Sequence, residues 1–413
     1  MAKPNLHFAS LSTTAKSTLK QLKLSEAATF LRGLSLSKDD VREVADVSNG
    51  VPCVLYGHLY TTYGEIAYSS KYVTDAEIDE KVTSKAGDVL MPTSDVTPRG
   101  LATATCVMFE NAIVGGDINI LRPQPGIDGR YLSLAINSQK QKLYPLIVGS
   151  TVRHLHASDL KGLSYFFPSI EEQQKIAEFF TALDEKIHSI ENKLSLLDRT
   201  KKYFVNALLQ KKLRFVKDNG STYTDWVSCN VANIADVIGG GTPSTTDEAY
   251  WNGDINWFTP AEINSKYLIP SKRKISKLGL DNSSAKLLPK NSLLLTTRAS
   301  LGLCSINSLD SFVCTNQGFQ SLICKENAFH EFVYYMVTSD AFKKELKTKA
   351  SGSTFLEVSS ASLKSIKIEI PCYEEQIKIA NFISQMDLKI ELLVKQKKVF
   401  EKMKKAFMQR MFV

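Results

Sequence analysis

Two stretches of the chain place apolar residues at alternating intervals of four and three positions, the spacing of a coiled-coil seam. The first stretch is broken once, by Lys201, and the second is broken by Lys397 and Lys404. The apolar positions of the first stretch are Ile176, Phe180, Leu183, Ile187, Ile190, Leu194, Leu197, Phe204 and Leu208. Those of the second are Ile379, Ile383, Met386, Ile390, Leu393, Phe400, Phe407 and Met411. Because no glycine or proline interrupts either stretch, the pattern predicts two long helices of about 43 residues, each roughly 65 Å in length.

Each predicted helix follows a proline that ends a short run of strand-forming residues. Pro168 ends the run at 163–167, and Pro371 ends the run at 366–370. Acidic residues then occupy the first helical turn, as is typical of helix starts. The remaining sequence has short β-like runs, glycine turns and few helical periods. We therefore expect mixed α/β domains over 1–167 and 218–370, and helical regions over 168–217 and 371–413.

The sequence contains one unit twice. Pro-Ser-Ile-Glu-Glu-Gln-Gln-Lys-Ile-Ala from Pro168 recurs as Pro-Cys-Tyr-Glu-Glu-Gln-Ile-Lys-Ile-Ala from Pro371, 203 positions later. The same offset relates Gly149-Ser-Thr to Gly352-Ser-Thr, and Asp184 to Asp387. A register that holds without gaps for about 60 positions indicates a tandem duplication of a globular part followed by a long helix.

Charge predicts how the two helices pair. Residues 171–191 hold six acids and two bases, whereas 193–217 hold one acid and eight bases. The distal copy repeats this, with four acids and two bases in 374–391, then one acid and seven bases in 395–410. Antiparallel pairing sets acid against base along the whole length, so we expect an antiparallel intramolecular coiled coil. In the alternative arrangement, each helix packs on its own globular neighbour or zips two chains together.

Composition bounds the class of protein without identifying it. The chain has 413 residues, 43% apolar content and a formal net charge of +8. These values are those of a globular protein, and the charge is only a modest indication of an anionic partner. No run of 18 apolar residues and no secretory signal is visible. The seven cysteines are scattered without a CxxC pair, which favours a reducing cytoplasm and no zinc site. His154 and His156 could flank a metal, but strand alternation explains them better, so we expect no metal.

Polar loops carry the candidate chemistry. In the second globular part, a strand runs into the glycine loop 237–244, and tryptophans follow at 251 and 257. Farther on are Thr-Thr-Arg-Ala-Ser-Leu-Gly at 296–302 and Thr-Asn-Gln-Gly-Phe at 315–319. The first part has a tyrosine-rich run and a loop with Arg99. Bases, amides and hydroxyls on loops suit phosphate binding and the reading of base edges. The aromatic residues are more typical of a core than of a stacking surface.

Catalytic motifs are missing from the sequence. There is no Walker A loop, no Asp-Pro-Pro-Tyr or Asn-Pro-Pro-Phe tetrapeptide of base methylation, and no nucleophile–His–acid set at a known spacing. We therefore predict no catalytic site in this chain.

The duplicated unit, with Pro-x-x-Glu-Glu-Gln-x-x-Ile-Ala at the start of each long helix, resembles the specificity subunit of type I restriction–modification systems. The Gly-Gly-Gly-Thr-Pro loop, Trp251 and the motifs at 296–302 and 315–319 strengthen the resemblance. Residues 1–100 depart most, because the Gly-x-Thr-Pro loop and the tryptophan are absent there. The resemblance implies an α+β fold with two mixed α/β target-recognition domains, separated by two long helices that form an antiparallel intramolecular coiled coil.

The resemblance also implies a function and partners. Each recognition domain, 1–167 and 218–370, would read one half of a bipartite double-stranded DNA target. The central and distal helical spacer regions, 168–217 and 371–413, would set the unread spacer and dock two methyltransferase (modification) subunits. Restriction/translocase subunits would join that core. The chain itself would hold no cofactor, because S-adenosylmethionine, ATP and Mg would be bound by the partner subunits.

Six residues are candidates for DNA contact, because they are cations or hydroxyls on the polar loops or in a basic stretch that follows the tryptophans. The basic stretch consists of Lys266, Lys272, Arg273, Lys274 and Lys277. The six candidates are Arg99, Lys272, Arg273, Lys274, Thr297 and Arg298.

Two other classes of protein stay open on sequence grounds. A single-chain methylating restriction enzyme needs a methyltransferase tetrapeptide, and a coiled-coil scaffold without a DNA role needs no charged recognition loops.

Overall fold

The structure, a computed structural model, describes residues 19–46, 49–76, 83–298, 300–352 and 356–412. It divides into two compact units. The first unit comprises Met1–Asn192 and Lys395–Val413, and the second unit comprises Lys193–Val394. Each unit therefore contains one globular part and one portion of each long helix.

The globular part of the first unit combines short strands with short helices. Its strands are β1 Lys20–Lys23, β2 Ala28–Arg32, β3 Val41–Glu43, β4 Val51–Val54, β5 Ile66–Ala67, β6 Tyr72–Thr74, β7 Asp88–Pro92, β8 Ser94–Asp95, β9 Thr105–Val107, β10 Ile113–Val114, β11 Ile118–Pro123, β12 Arg153–His154 and β13 Ser164–Phe167. Its helices are α1 Leu24–Ala27, α2 His58–Thr61, α3 Pro98–Leu101, α4 Gly129–Ser138 and α5 Ala157–Lys161.

The long helix α6 follows at Ile170–Leu209, and α12 closes the described chain at Tyr373–Met411. The globular part of the second unit lies between them in sequence. Its strands are β14 Val227–Asn230, β15 Ala235–Gly239, β16 Trp251–Phe258, β17 Arg273–Ile275, β18 Leu293–Leu295, β19 Cys304–Ile306, β20 Val313–Thr315, β21 Gln320–Cys324 and β22 Lys367–Ile370. Its helices are α7 Val231–Ile234, α8 Lys277–Asp281, α9 His330–Thr338, α10 Asp340–Thr348 and α11 Ser360–Lys364.

The two globular parts share the order of four strands in the main sheet, to which the first unit adds a fifth strand. The main sheet has the order β2-β11-β7-β9-β5 in the first unit and β15-β21-β18-β19 in the second. A smaller sheet in each unit contains one parallel pair, β4 with β10 and β16 with β20. A two-stranded antiparallel pair, β1 with β13 and β14 with β22, leads into each long helix. The predicted α+β fold with two related domains is confirmed.

Within the first unit, the start of α6 runs antiparallel to the end of α12. Glu191 pairs with Lys397 (2.8 Å) and Asp184 pairs with Lys404 (2.6 Å), while the rings of Phe179 and Phe407 lie 5.1 Å apart. Residue numbers fall on α12 as they rise on α6, so the two segments run in opposite directions. This confirms the predicted antiparallel pairing.

The second unit repeats these contacts with the other ends of the same helices. Lys201 pairs with Asp387 (2.5 Å), and the rings of Phe204 and Phe382 lie 5.2 Å apart. Each of these residues stands 203 positions from its counterpart in the first unit. The lysines that interrupt the apolar pattern therefore occupy the seam as partners of acidic residues on the other helix: Lys201 and Lys404 pair with aspartates, and Lys397 pairs with Glu191. Such an arrangement fixes register and orientation.

One part of the alternative arrangement also holds, because each helix packs on its own globular neighbour as well as on the other helix. Ile176 and Phe180 of α6 are buried in the core of the first globular part, together with Tyr131 and Phe167. Ile379 and Ile383 of α12 are buried in the core of the second in the same way. Each helix start thus packs on its own globular neighbour while the helix also pairs with the other long helix.

Candidate nucleic-acid interface

In the second unit, glycines form the contact between two loops at the place where the main sheet and the smaller sheet meet. The N–H of Gly241 donates to the carbonyl of Thr315 (2.8 Å), which ties the glycine loop to the segment after β20. A Cβ on Gly240 would lie 1.9 Å from the carbonyl oxygen of Asn316, closer than any side chain tolerates. Only glycine permits this approach, and a Cβ on Gly241 would likewise lie 2.2 Å from the backbone nitrogen of Ala285, so packing requires two of the three glycines in the motif. We call the contact between Gly240 and Asn316 the glycine junction.

The tryptophans of the same motif region support the glycine loop. The indole N–H of Trp257 donates to the carbonyl of Gly241, and that of Trp251 donates to the carbonyl of Ser244, both at 2.9 Å. Both rings are buried and meet edge to face, with centroids 5.1 Å apart. These aromatic residues hold the loop and are not presented to a ligand.

A third loop, 296–302, joins the same place. The N–H of Thr297 donates to the carbonyl of Gly318 (2.9 Å), and the carbonyl of Thr297 accepts from Val358 (3.0 Å). The loop closes at Gly302, whose φ of +83° suits glycine. The fold thus brings together the three polar motifs, which lie about 20 to 80 positions apart in sequence.

The first unit builds the same junction from different residues. The N–H of Gly33 donates to the carbonyl of Ile118 (3.0 Å), and that of Leu34 donates to the carbonyl of Val114 (2.7 Å). A Cβ on Gly33 would lie 1.9 Å from the carbonyl oxygen of Gly115, the same separation as at Gly240. The departure of residues 1–100 from the family pattern therefore leaves the junction intact.

The basic stretch lies at β17 on the smaller sheet of the second unit. Lys272 and Lys274 are exposed. Arg273 lies with its guanidinium 3.6 Å from the ring centre of Trp251, a cation–π contact. All three bases are therefore exposed, and the guanidinium of Arg273 also packs on an aromatic ring.

Thr297 and Arg298 differ in how far their side chains are exposed to solvent. Thr297 is 1% exposed, so its hydroxyl does not face solvent. The side chain of Arg298 is 48% exposed and forms an ion pair with Glu357, to which its Nε donates at 3.0 Å. Of this neighbouring pair, only the arginine offers a surface group.

Arg99 belongs to the first unit, whereas the other five candidates belong to the second. It is exposed at the end of α3 and lines a cavity of about 430 Å³ that Lys140, Tyr60 and Asn137 also line. Burial lowers the pKa of Lys140, and the charge of Arg99 adds to that effect while Glu65 opposes it. Two cations therefore border one polar cavity.

Glutamines in the repeated motif attach each long helix to its domain. The amide of Gln376 donates to the carbonyls of Pro371 (3.0 Å) and Asn327 (2.9 Å), and its oxygen accepts from Phe329 (2.8 Å). Gln173 makes the same three contacts, with Pro168, Gly126 and Asp128. The motif therefore orients the helix relative to the loop before α4 or α9.

Sequence reasoning missed Glu357, Lys140 and the contacts of the two glutamines. The 203-position repeat was the signal for Gln173 and Gln376, because identical residues at a fixed offset indicate a shared role. Glu357 gave no signal of its own, since its partner Arg298 lies 59 positions away.

The cysteines and the acidic and histidine side chains of the described ranges form neither disulfides nor a metal site. There, no group of three His, Cys, Asp or Glu side chains could hold a metal ion, and all seven cysteines are free. No helix in that part of the chain has the length and apolar character needed to cross a bilayer.

The fold and the loop junctions define a class: a chain with two copies of one mixed α/β domain, each leading into a long helix. The family described as type I restriction modification DNA specificity domain matches residues 17–199 and again 223–402. This chain belongs to that family and contains its domain twice. The resemblance seen in the sequence is confirmed.

Individual relatives agree with the family assignment. The specificity subunit of the type I restriction enzyme MjaIX from Methanocaldococcus jannaschii is 36% identical over 199 residues, which cover 48% of this chain and 46% of the relative. The match thus spans about half the length of that protein. The MjaVIII specificity subunit of the same organism is 24% identical over 380 residues, covering 86% of this chain and 84% of the relative.

A solved structure shares the fold over the full length. The type I restriction–modification S subunit from M. genitalium aligns with a TM-score of 0.62 at 13% identity, covering 100% of this chain and 99% of that chain.

Proposed function

We propose that this chain is the non-catalytic sequence-reading subunit of a type I restriction–modification complex, in which each unit reads one half of a bipartite DNA target. The observation that carries the proposal is the glycine junction. Both units build it with the same geometry, although the loops around it differ in sequence. A shared support with different loops suits two readers of one family that recognise different bases.

Charge on the loops supports a DNA ligand. Arg298, Lys272 and Lys274 are exposed in the second unit, and Arg99 is exposed in the first. Cations at such positions neutralise phosphates and steer the duplex. Methylation and cleavage then belong to partner subunits that bind S-adenosylmethionine, ATP and Mg.

Exposed apolar residues on the long helices support docking of the methyltransferase subunits. In the second unit, Leu196 and Tyr203 lie seven positions apart on α6, and Leu388 and Leu392 lie four apart on α12. In the first unit, Val399 and Met403 are likewise exposed and four apart. Apolar side chains that share a helix face and meet solvent are typical of a surface that a partner covers.

Mapping of methylated adenines tests the function. Cells would express this chain with the modification subunits of its system, and the control cells would lack only this chain. We expect methylation at a motif of two short defined elements separated by an undefined spacer. Methylation that persists without the chain, or a continuous motif, would contradict the proposal.

Helix length tests the role of the coiled coil as a spacer. Seven residues inserted after Asn192 in α6 and after Lys395 in α12 preserve the heptad phase and the pairing of the helices. The added rise is about 10 Å, so we expect the unread spacer to grow by about three base pairs while both elements stay the same. The same insertion in α6 alone is the control, because it misaligns Lys201 and Asp387. An unchanged spacer in the double insertion would refute a spacing role.

A further inference from the structure

One pair of side chains occupies the same place in both units, at the base of the loop that follows β7 or β18. In the second unit, Thr297 donates to Gly318 and accepts from Val358. In the first unit, Thr93 donates to Asp117 (2.8 Å) and accepts from Leu155 (2.9 Å). These matching hydrogen bonds make Thr93 and Thr297 equivalent. The residues after them, Ser94 and Arg298, are therefore equivalent too.

The partners of these two residues are also equivalent. Ser94 is hydrogen-bonded to Nδ1 of His154 (3.0 Å), and Arg298 donates to Glu357 (3.0 Å). His154 and Glu357 stand 203 positions apart, in register with the duplication. Each is also bridged in the same way to the segment before it, His154 to Val148 and Glu357 to Ser351.

The pair changes chemically while its surroundings stay alike. Short motifs on either side of His154 and Glu357 are the same in both units. Gly149-Ser-Thr and Leu160-Lys in the first unit match Gly352-Ser-Thr and Leu363-Lys in the second. Between these matching residues, the imidazole of His154 is replaced by the carboxylate of Glu357. When two copies of one domain read different bases, the residues that support the fold stay alike and the residues that read must differ.

The geometry of the second pair suits a base contact. Nε and Nη2 of Arg298 both donate to the same oxygen, Oε2, of Glu357, and this fixes the plane of the guanidinium. The arginine side chain is nevertheless 48% exposed. A guanidinium held in one plane can present its remaining N–H groups to the O6 and N7 acceptors of guanine without a further loss of freedom.

Resting on the proposed function, we propose that this pair is a specificity-determining position of both units. Arg298 reads a guanine edge in the half of the target assigned to the second unit, and Glu357 is a positioning residue that orients it. Ser94 and His154 hold the equivalent position in the first unit. They cannot make an arginine-type contact with guanine, so they read a different base edge.

Binding measurements on the assembled complex test the proposal. The complex would contain this chain and the modification subunits of its system, and the probes would be duplexes with its methylated motif or with one base pair changed. Arg298→Ala is expected to weaken binding to the motif roughly 5- to 150-fold and to remove the preference for guanine at one position. Glu357→Ala is expected to approach that loss. Glu357→Gln, which keeps a hydrogen-bond acceptor, is expected to lose less.

Matched variants separate reading from other roles. Ser94→Ala with His154→Ala should change base preference only in the other half of the motif. Lys290→Ala, which removes an exposed ion pair with Asp310 in the second unit, should change neither half. An equal loss for Arg298→Ala on every duplex, with a lower salt dependence, would show a phosphate contact and overturn the inference. So would an unchanged preference. A wild-type complex without any sequence preference would instead overturn the proposed function itself.

Discussion

The first and second units build one junction from different sequences. In the second unit, three motifs surround Gly240, and two tryptophans hold its loop. In the first unit, Gly33 makes the same close approach to Gly115 without that motif or those tryptophans. The fold therefore requires one residue without a side chain at a crossing of two backbones. The supporting residues around this point are interchangeable, and the loops beyond it are free to differ.

The glycine junction gives the largest expected effect. Gly33→Ala and Gly240→Ala place a Cβ against backbone oxygen, which cannot move aside, so each should destabilise its own unit by about 3–5 kcal/mol. Hydrogen exchange measured by mass spectrometry on peptides from each unit would localise the loss.

Gly64→Ala is the control for this comparison, because no atom lies within 4 Å of the added Cβ. If Gly33→Ala were as stable as Gly64→Ala, the two junctions would not be equivalent.

The second-largest expected loss of stability comes from removing the hydrogen bonds of Gln173 and Gln376. Gln173→Ala and Gln376→Ala each remove three hydrogen bonds at a buried site and leave backbone groups without partners. We expect a loss of about 3 kcal/mol in the unit concerned, with increased exchange at the start of α6 or α12. The replacement of either glutamine by Glu is a matched test, because it keeps the size and the acceptor but removes the donor. Equal exchange in wild type and Gln376→Ala would contradict a role in attaching the helix.

We expect acid to lower the stability of the first unit through His58, a residue without a counterpart in the second unit. Burial, and to a smaller extent the charge of Lys38, lowers the pKa of His58 to about 4. Its Nδ1 also accepts from the N–H of Leu55 (3.1 Å), a bond that protonation at that atom would break. The unfolded chain therefore binds more protons than the folded chain between pH 6.5 and about 4, so stability falls as pH falls through that range.

We expect this to lower the stability of the first unit by about 2 kcal/mol between pH 6.5 and pH 4. NMR titration of His58 and hydrogen exchange at several pH values would measure both quantities. His58→Gln should flatten the pH dependence in this range. A midpoint near 6.5 for His58 would refute the prediction.

The smallest predicted difference concerns the paired lysines. Lys404 binds both Asp184 (2.6 Å) and Glu65 (2.7 Å), whereas Lys201 binds Asp387 alone among the described residues. Burial acts to raise the pKa of Glu65, but the charge and hydrogen bond of Lys404, together with a backbone hydrogen bond and the charge of Lys140, outweigh burial and lower that pKa. Lys404→Met should therefore cost about 2 kcal/mol in the first unit, and Lys201→Met about 1 kcal/mol in the second. Chemical denaturation followed by hydrogen exchange would compare the stability losses of the two variants. Equal losses would show that the contact of Lys404 with Glu65 does not stabilise the first unit.

The sequence predicted the helices, their starts and their antiparallel pairing well, because these features depend on local periodicity and on charge. The paired lysines were visible only as breaks in the apolar pattern. Their acidic partners lie on the opposite helix and are defined by the contacts in the structure. The sheets were not predictable in detail, since strands such as β5 and β10 have two residues each and pair with distant segments.

The candidate site was predicted less completely. Lys272, Lys274, Arg99 and Arg298 are presented on the surface as expected for cations, but the burial of Thr297 follows from backbone contacts with residues far along the chain. Whether any of the six residues contacts DNA stays a prediction. The equivalence of Ser94 and Arg298 had no sequence signal, because insertions and deletions before residue 100 hide the alignment.

The seam has a further consequence, because each long helix contributes the aspartate of one ion pair and the lysine of the other. Asp184 and Lys201 lie on α6, and Asp387 and Lys404 lie on α12. A helix of this kind is complementary to a reversed copy of itself, which is the condition for a two-fold symmetric assembly of identical halves. Because one polypeptide contains both halves, the pairing of the helices stays symmetric while the sequences of the two globular parts can diverge.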